Sequence, residues 1–324
     1  MVRILSEREI ADLLELSALL PVIEEAFVKQ GRGEVERPER PHFPVGAGLG
    51  DDPDEPLGTG LTMPAYVHGA EYYATKLASV HPANPEEGLS TVNAQVALTD
   101  AGTGLPRAYM AGTELTNART GCIGGLAARD LAADPIALGI VGAGTQARSQ
   151  ARAIAAASEV DSIRVYSPSD SRERCAADLA DLAACVEAVD SPIEAVSGAT
   201  VVCTATTATE PVFPGEALDP GTLVVAVGAY SAEMRELDDE TIRRAESVIA
   251  DVPEEAIQTG DLRESGLSVE ELVPLSAVFE GEFERPEGVV VVSSVGSAVL
   301  DAAAAEFVLE RAEREGVGET VSLD

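Results

Sequence analysis

One segment limits the fold of this chain more than any other: Ala137-Leu138-Gly139-Ile140-Val141-Gly142-Ala143-Gly144-Thr145-Gln146-Ala147. It reads as a buried apolar strand, a glycine turn and the start of a helix. Gly142 permits the tight turn, Gly144 lets the backbone approach a ligand, and Ala147 lets the helix pack closely on the strand. The open N–H groups of the helix start favour an anion such as a diphosphate.

The surroundings support the same reading. After Pro135, apolar runs alternate with helical periodicity: strand 137–142, helix 146–157, strand 163–166, helix 172–185, then strands at 200–204, 223–228, 248–251 and 289–293. Such alternation specifies an α/β fold with a doubly wound parallel sheet of the Rossmann type. In that context Gly142, Ala143, Gly144, Thr145 and Gln146 form a binding segment for NAD or NADP.

Upstream the pattern differs. Ser6 and Glu9 make a capping box ahead of a short amphipathic helix with Ile10 and Leu13. Pro21 suits the first turn of a second helix, which carries Val22, Ile23, Ala26 and Phe27 until Gly31-Arg32-Gly33 ends it. The stretch 37–56 is rich in Pro, Gly and Asp and reads as a loop. Short alternating segments within 57–111 read as an antiparallel sheet, followed by a helix over 114–131 whose Gly121, Gly124, Gly125 and Ala128 allow close packing. The last helix, 298–313, returns to the first domain. Two domains result, 1–118 with 298–324 and 119–297.

Charge excludes several partners. The 324 residues carry 56 acidic against 22 basic side chains, a formal net charge of -34, which repels nucleic acid and anionic membranes. Only Lys29 and Lys76 among the basic residues are lysines, the rest being arginine. An acidic, lysine-depleted chain of this kind reads as adapted to a high-salt cytoplasm, where screening acts over a few ångströms. No stretch is long and apolar enough to span a bilayer, and the first residues lack the apolar core of a signal peptide, so a cytoplasmic protein is expected. Cys122, Cys175, Cys185 and Cys203 show no metal-ligand spacing and are expected to be buried, unreacted thiols. No metal is expected.

The end of the second strand, Val165-Tyr166-Ser167-Pro168-Ser169, lacks the acid that usually meets the ribose hydroxyls of NAD. Ser167, Ser169, Arg172 and Arg174 are suited to a 2′-phosphate, which favours NADP over NAD. Alternatively Ser169-Asp170 cap the next helix, or Asp170 reaches the ribose.

Lys76 is the most informative single residue. It sits in mid-strand with Ala74 and Ala78 on the same face, where a desolvated amine takes part in proton transfer or binds a carboxylate. An edge-strand lysine that discourages aggregation is the alternative. Lys29, at a helix end, is read as a dipole partner. Arg119, among small and apolar helix residues, and Arg40 are candidates for a carboxylate clamp. His42, His68 and His81 form no ligand pattern.

The runs Lys76…Asn84-Pro85…Gly88-Leu89-Ser90-Thr91, Leu98-Thr99-Asp100…Thr103-Gly104-Leu105-Pro106, Leu115-Thr116…Arg119-Thr120 and Gly142-Ala143-Gly144-Thr145-Gln146-Ala147 together resemble the ornithine cyclodeaminase/mu-crystallin family. So do Cys203-Thr204-Ala205-Thr206…Glu210-Pro211-Val212, Arg235-Glu236-Leu237-Asp238 and Ser294-Val295-Gly296…Asp301. The resemblance implies a homodimer formed through the first domain, which would also bind substrate. It implies dinucleotide contacts at Thr204, Ala205, Thr206, Val227 and Gly228. It further implies that Arg40, Lys76 and Arg119 hold and protonate a small amino- or imino-acid substrate, with hydride exchanged between the nicotinamide and its α-carbon.

One position departs from the family. Cyclodeaminases and alanine dehydrogenases of this type carry a catalytic aspartate where this chain has Tyr230, and a neutral tyrosine is a poor base. Reduction of a preformed imine needs no such base, so a ketimine reductase-like oxidoreductase is expected. Ornithine cyclodeamination and alanine dehydrogenation are the alternatives. A non-catalytic NAD(P)H-binding protein is the alternative of another class, against which Lys76, Arg40 and Arg119 together speak.

Overall fold

A computed structural model describes residues 1–50 and 52–323, the side chain of Pro85 excepted; Asp51, in the expected 37–56 loop, and Asp324, at the end of the expected first domain, lie outside the described residues. The first elements are β1 (Val2–Leu5), α1 (Glu7–Leu13), α2 (Leu16–Gly31), β2 (Val35–Glu36), β3 (His42–Val45), β4 (Gly58–Val67), β5 (Tyr72–Val80), β6 (Val92–Asp100), β7 (Pro106–Ala111) and α3 (Thr113–Leu131). Next come β8 (Ile136–Val141), α4 (Thr145–Ala157), β9 (Val160–Tyr166), α5 (Ser171–Asp178), β10 (Cys185–Ala188), α6 (Pro192–Val196), β11 (Val201–Thr204) and β12 (Leu223–Ala226). The chain ends with α7 (Asp239–Arg244), β13 (Ala245–Ala250), α8 (Pro253–Ala256), β14 (Val273–Pro274), α9 (Leu275–Phe279), β15 (Val289–Ser293), α10 (Ala298–Glu315) and β16 (Glu319–Val321). No helix among the described residues is long and apolar enough to cross a membrane.

The chain divides into two compact units. The first takes Met1–Glu15, Arg32–Arg119 and the chain from Ala298 onward, and the second takes Leu16–Gly31 and Thr120–Ser297.

The second unit is built on a parallel sheet in the order β10-β9-β8-β11-β12-β15-β13-β14. Val141, Val202, Val224 and Val291 of its central strands are buried, as the continuous apolar runs of a sheet covered on both faces require. From β8 the chain builds outward on one side to β9 and β10, then returns to add β11 on the other. Such a reversal opens a crevice at the carboxyl ends of the strands, and ligands of open α/β sheets bind there. The glycine turn that follows Val141 lies at that point.

In the first unit the sheet order is β16-β1-β7-β6-β5-β4-β2, with β3 paired to β4. Its pairings are antiparallel, as expected, except that β1 runs parallel to β7. Helix α10 packs on β4, β5 and β6, and buries Ala304, Ala305, Val308 and Leu309.

Several local expectations are corrected. The second helix starts at Leu16, and Pro21 lies inside it rather than in its first turn. Packing holds this helix together: Leu19, Leu20 and Phe27 are buried, and Phe27 meets Phe279 of α9 at 5.6 Å between ring centroids. These contacts place Leu16–Gly31 in the second unit, whereas the expected first domain ran unbroken to 118. The stretch 37–56 contains β3, an edge strand that tolerates Pro44 because its N–H is not needed by the ladder.

The helix expected over 172–185 stops at Asp178, since Cys175 and Leu179 are its last buried apolar residues. Cys185 opens edge strand β10 and is exposed, against the expectation of a buried thiol. The other three cysteines are buried.

Candidate active site

In the second unit the turn after β8 has the form its glycines allow. Gly142 adopts a φ of 114°, and a Cβ there would lie 2.4 Å from the carbonyl oxygen of Ala205. No other residue fits. A Cβ on Gly144 would meet nothing within 4 Å, and this glycine caps α4 with no side chain of its own over the helix start. Gly144 and Thr145 are exposed, Ala143 and Gln146 are half-buried, and Ala147 is fully buried against the sheet. An open cradle above a helix N-terminus is what a diphosphate needs. Arg148, which sequence reasoning passed over, donates to the carbonyls of Ala143 at 2.7 Å and Gly144 at 3.0 Å, and to Asp178 at 2.8 Å. It ties the turn to its own helix.

The end of β9 gathers hydroxyls. Ser171 Oγ lies 3.0 Å from Ser167 Oγ and 2.8 Å from Ser169 Oγ, so the two expected serines are joined by a third. Arg172 donates to the Ser167 carbonyl at 3.3 Å and pairs with Asp190 and Glu173. Asp170 precedes α5 without a capping hydrogen bond from its side chain. Of the Ser169-Asp170 pair that one alternative read as the helix cap, the Ser169 hydroxyl accepts the Ser171 N–H at 3.4 Å, while the Asp170 carboxylate does not cap.

Thr204 closes β11 and is fully buried, its hydroxyl donating to Glu236 at 2.8 Å. The N–H of Ala205 donates to Val141, which seats the 204–206 loop beside the glycine turn, and Val227 donates to the Thr204 carbonyl. Gly228 is constrained by space alone, since a Cβ would lie 2.4 Å from the Thr206 carbonyl oxygen. Tyr230 follows, still partly accessible, with burial pushing its phenol above the ordinary value. It stays protonated at neutral pH and cannot serve as a base there.

The first unit holds the charged cluster. Lys76 lies on β5, which is paired on both sides, to Met63 of β4 and Val96 of β6, so it is not an edge-strand lysine. The residue is 4% exposed, and its Nζ donates to both oxygens of Asp301, each at 3.2 Å. Arg119 Nε donates to Asp301 Oδ1 at 2.8 Å.

Burial lowers the Lys76 pKa, the Asp301 charge raises it, and Arg119 and Arg40 lower it again, leaving it at about 8. Burial pulls the Asp301 carboxyl up, but Arg119 and Lys76 outweigh it and hold the group below its ordinary value. The structure thus brings Lys76, Arg119 and, through its field, Arg40 to one place. Two cations on one carboxylate, with the Arg40 charge felt at Lys76, leave net positive charge in a desolvated setting, which suits a second carboxylate brought by a ligand. Asp301 was legible only as one residue of a matching motif; no spacing linked it to Lys76 or Arg119.

The model of the ornithine cyclodeaminase/mu-crystallin family matches residues 2–316. The chain belongs to this family. A delta(1)-pyrroline-2-carboxylate reductase of Bacillus cereus is 34% identical to it over 277 residues, covering 82% of this chain and 85% of the relative. Among solved structures it is similar to Thermococcus litoralis delta(1)-pyrroline-2-carboxylate reductase in complex with NADH and L-proline, with a TM-score of 0.91, 30% identity and coverage of 99% and 100%. An archaeal alanine dehydrogenase dimer with bound NAD is similar at a TM-score of 0.90, 26% identity and coverage of 100% and 99%. The chain is an oxidoreductase of this family that uses a nicotinamide dinucleotide and acts at a carbon–nitrogen bond.

Proposed function

We propose that this member of the family reduces a small cyclic 2-imino acid, a five- or six-membered ring with a carboxylate on the C=N carbon, to the corresponding amino acid. The observation that carries the proposal is the buried cluster of Lys76, Arg119 and Asp301. A substrate carboxylate would bind to Arg119, Arg40 and Lys76, which fixes the imine carbon in place. The dinucleotide would rest on the Gly142–Gln146 turn and the 204–206 and 227–228 loops, and supplies hydride to that carbon. The proton that balances the reduction goes to the imine nitrogen, and the Lys76 ammonium is the group suited to give it.

Tyr230 supports reduction over the deaminating reactions. Cyclodeamination and alanine dehydrogenation call for a carboxylate that accepts a proton from water or ammonium, and a phenol pushed above its ordinary value does not do so. A dinucleotide-binding protein without turnover has no use for two cations gathered on a buried carboxylate.

Purified protein in high salt, given NADPH or NADH, tests the reading directly. Oxidation of the cofactor with pyrroline-2-carboxylate or piperideine-2-carboxylate is expected. Turnover confined to pyruvate with ammonia, or to ornithine, would overturn it.

We propose NADPH as the preferred dinucleotide, on the strength of the Ser167, Ser169 and Ser171 hydroxyls beside Arg172. The cation on that rim and the lack of an acid at the strand end both suit a 2′-phosphate.

We also propose a homodimer working in a salt-rich cytoplasm. The register of the first sheet puts Ile4, Tyr109, Ala97 and Thr75 in one row, with Tyr73 and Leu77 beside them, on the face away from α10. Ile4, Tyr73, Leu77 and Tyr109 are exposed there, and an apolar sheet face of this kind is a surface for association.

A further inference from the structure

Glu236 lies in the segment between β12 and α7 and has no solvent exposure. Its Oε1 accepts the Thr206 N–H at 2.6 Å, and its Oε2 accepts the Thr204 hydroxyl and the Gly228 N–H, both at 2.8 Å. One carboxylate therefore joins the loops that leave β11 and β12. The packing around it is tight: a Cβ on Gly228 would lie 2.5 Å from Glu236 Oε1, and the same 204–206 loop abuts Gly142 through Ala205.

Behind Glu236 stands a second acid. Asp261 Oδ1 accepts the N–H groups of Glu236 at 2.7 Å and Leu237 at 2.8 Å, while its Oδ2 is buried with no hydrogen-bond partner among the described residues. Asp261 and the Cys203 thiol of β11 face Glu236, and Arg235 faces Asp261. Burial first, and the Asp261 charge second, push the Glu236 carboxyl up to about 7 despite its three donors.

We propose that Glu236 is a positioning residue of the dinucleotide site, whose carboxylate form holds the Thr204–Thr206 and Val227–Gly228 loops in their binding shape and whose protonated form holds them less firmly. This rests on the reading of those loops as cofactor contacts. The chemistry follows from donor and acceptor counts. A carboxylate only accepts, and here each oxygen receives a backbone N–H. Protonation of either oxygen removes the negative charge that strengthens all three bonds and puts an O–H where a lone pair stood, so the group accepts the two amides less strongly and its hold on the loops weakens. The Thr204 hydroxyl can turn; the two amides cannot.

NADH is the probe, because it lacks a 2′-phosphate that would itself titrate near neutrality. Fluorescence titration at fixed high salt should show affinity for NADH weakening by about five- to tenfold between pH 8 and pH 6, the worth of roughly one hydrogen bond. In Glu236→Gln the amide cannot ionise and sets an N–H against an N–H, so binding should be weak and independent of pH. Thr204→Val removes one donor from the carboxylate, which should move the midpoint of the wild-type profile to higher pH. This variant keeps the test decisive where the glutamine variant does not fold.

A flat wild-type profile overturns the proposal. So does a glutamine variant with the wild-type affinity and pH dependence, even with a lowered melting temperature, because that result marks a purely structural acid. Absence of NADH and NADPH binding at every pH would overturn the cofactor reading of the loops as well; binding with a flat profile overturns this inference alone.

Discussion

Lys76 and Asp301 form a buried pair in which both carboxylate oxygens lie 3.2 Å from one ammonium. The pair spans 225 positions of sequence and joins the middle of a paired strand to the first turns of the last helix of the first unit. Because Asp301 also accepts from Arg119, it sets the position of two cations and the charge state of one.

Asp301→Asn should therefore act on both. Loss of the anion leaves Lys76 and Arg119 buried without a counter-charge, which typically costs about 3–5 kcal/mol. The Asp301 charge raises the Lys76 pKa, so its removal should lower that pKa further and move the alkaline fall of kcat/KM to lower pH. Thermal melts and pH–rate profiles of the variant measure the two effects. An alkaline limb that stays where it is in the wild type would show that Lys76 is not the titrating group.

For the wild type the direction is fixed by the protonated lysine being the useful form. With its pKa lowered to about 8, mainly by burial, the ammonium is present below that pH and is lost above it. At saturating cofactor, reduction should hold steady on the acid side and fall as pH rises through about 8. Lys76→Ala should bind cofactor as before while turnover drops by about 10²-fold or more, the usual worth of a positioned acid. Single-turnover hydride transfer at saturating cofactor makes the comparison, and near-normal transfer would remove Lys76 from the chemistry.

These groups differ in how far the sequence disclosed them. The glycine turn was legible because strand, turn and helix are local, and each residue type has its own reason to be there. Lys76 was legible because an isolated lysine between alanines is conspicuous in a chain with one other lysine. Its partner was not, since helix α10 and strand β5 meet only through the tertiary fold. Glu236 was legible only as one residue of a matching run among 56 acidic side chains, and its burial and three donors emerge only from the fold. Local errors arose where packing overrode propensity, as when contacts on both sides carried α2 past Pro21. At Cys185 the alanine-rich sequence favoured helix, but an edge strand formed.

At the dinucleotide's adenosine end, NADPH should bind more tightly than NADH. Ser171→Ala removes the hydroxyl that joins Ser167 and Ser169, and Arg172→Ala removes the cation that reaches the Ser167 carbonyl on that rim. Each change should narrow the preference, the arginine more, since hydrogen bonds to charged groups are worth about 1.5–3 kcal/mol. Equal loss of NADH and NADPH affinity would mean that these residues only shape the turn.

Stability should depend strongly on salt. At a formal net charge of -34 the folded chain repels itself, and raising potassium chloride from about 0.1 M to 3 M shortens the screening length from roughly 10 Å to under 3 Å. The melting temperature should climb across that range. A flat melting curve against salt would set aside the reading of the acidic surface as an adaptation to brine.

Tyr230 offers a test of reaction type. Its phenol is held above the ordinary value by burial, so at neutral pH it donates a hydrogen bond at most. Tyr230→Phe should then leave imine reduction within about tenfold of the wild type, the ceiling for one neutral hydrogen bond. Tyr230→Asp places a carboxylate where deamination would need its base, and it should raise the rate of NAD(P)-dependent oxidation of alanine or of ornithine turnover from near zero while weakening imine reduction. Assays of both variants with cyclic imine, alanine and ornithine distinguish the cases. If the phenylalanine variant loses imine reduction entirely, the tyrosine hydroxyl is itself a proton donor, and the assignment of that proton to Lys76 fails.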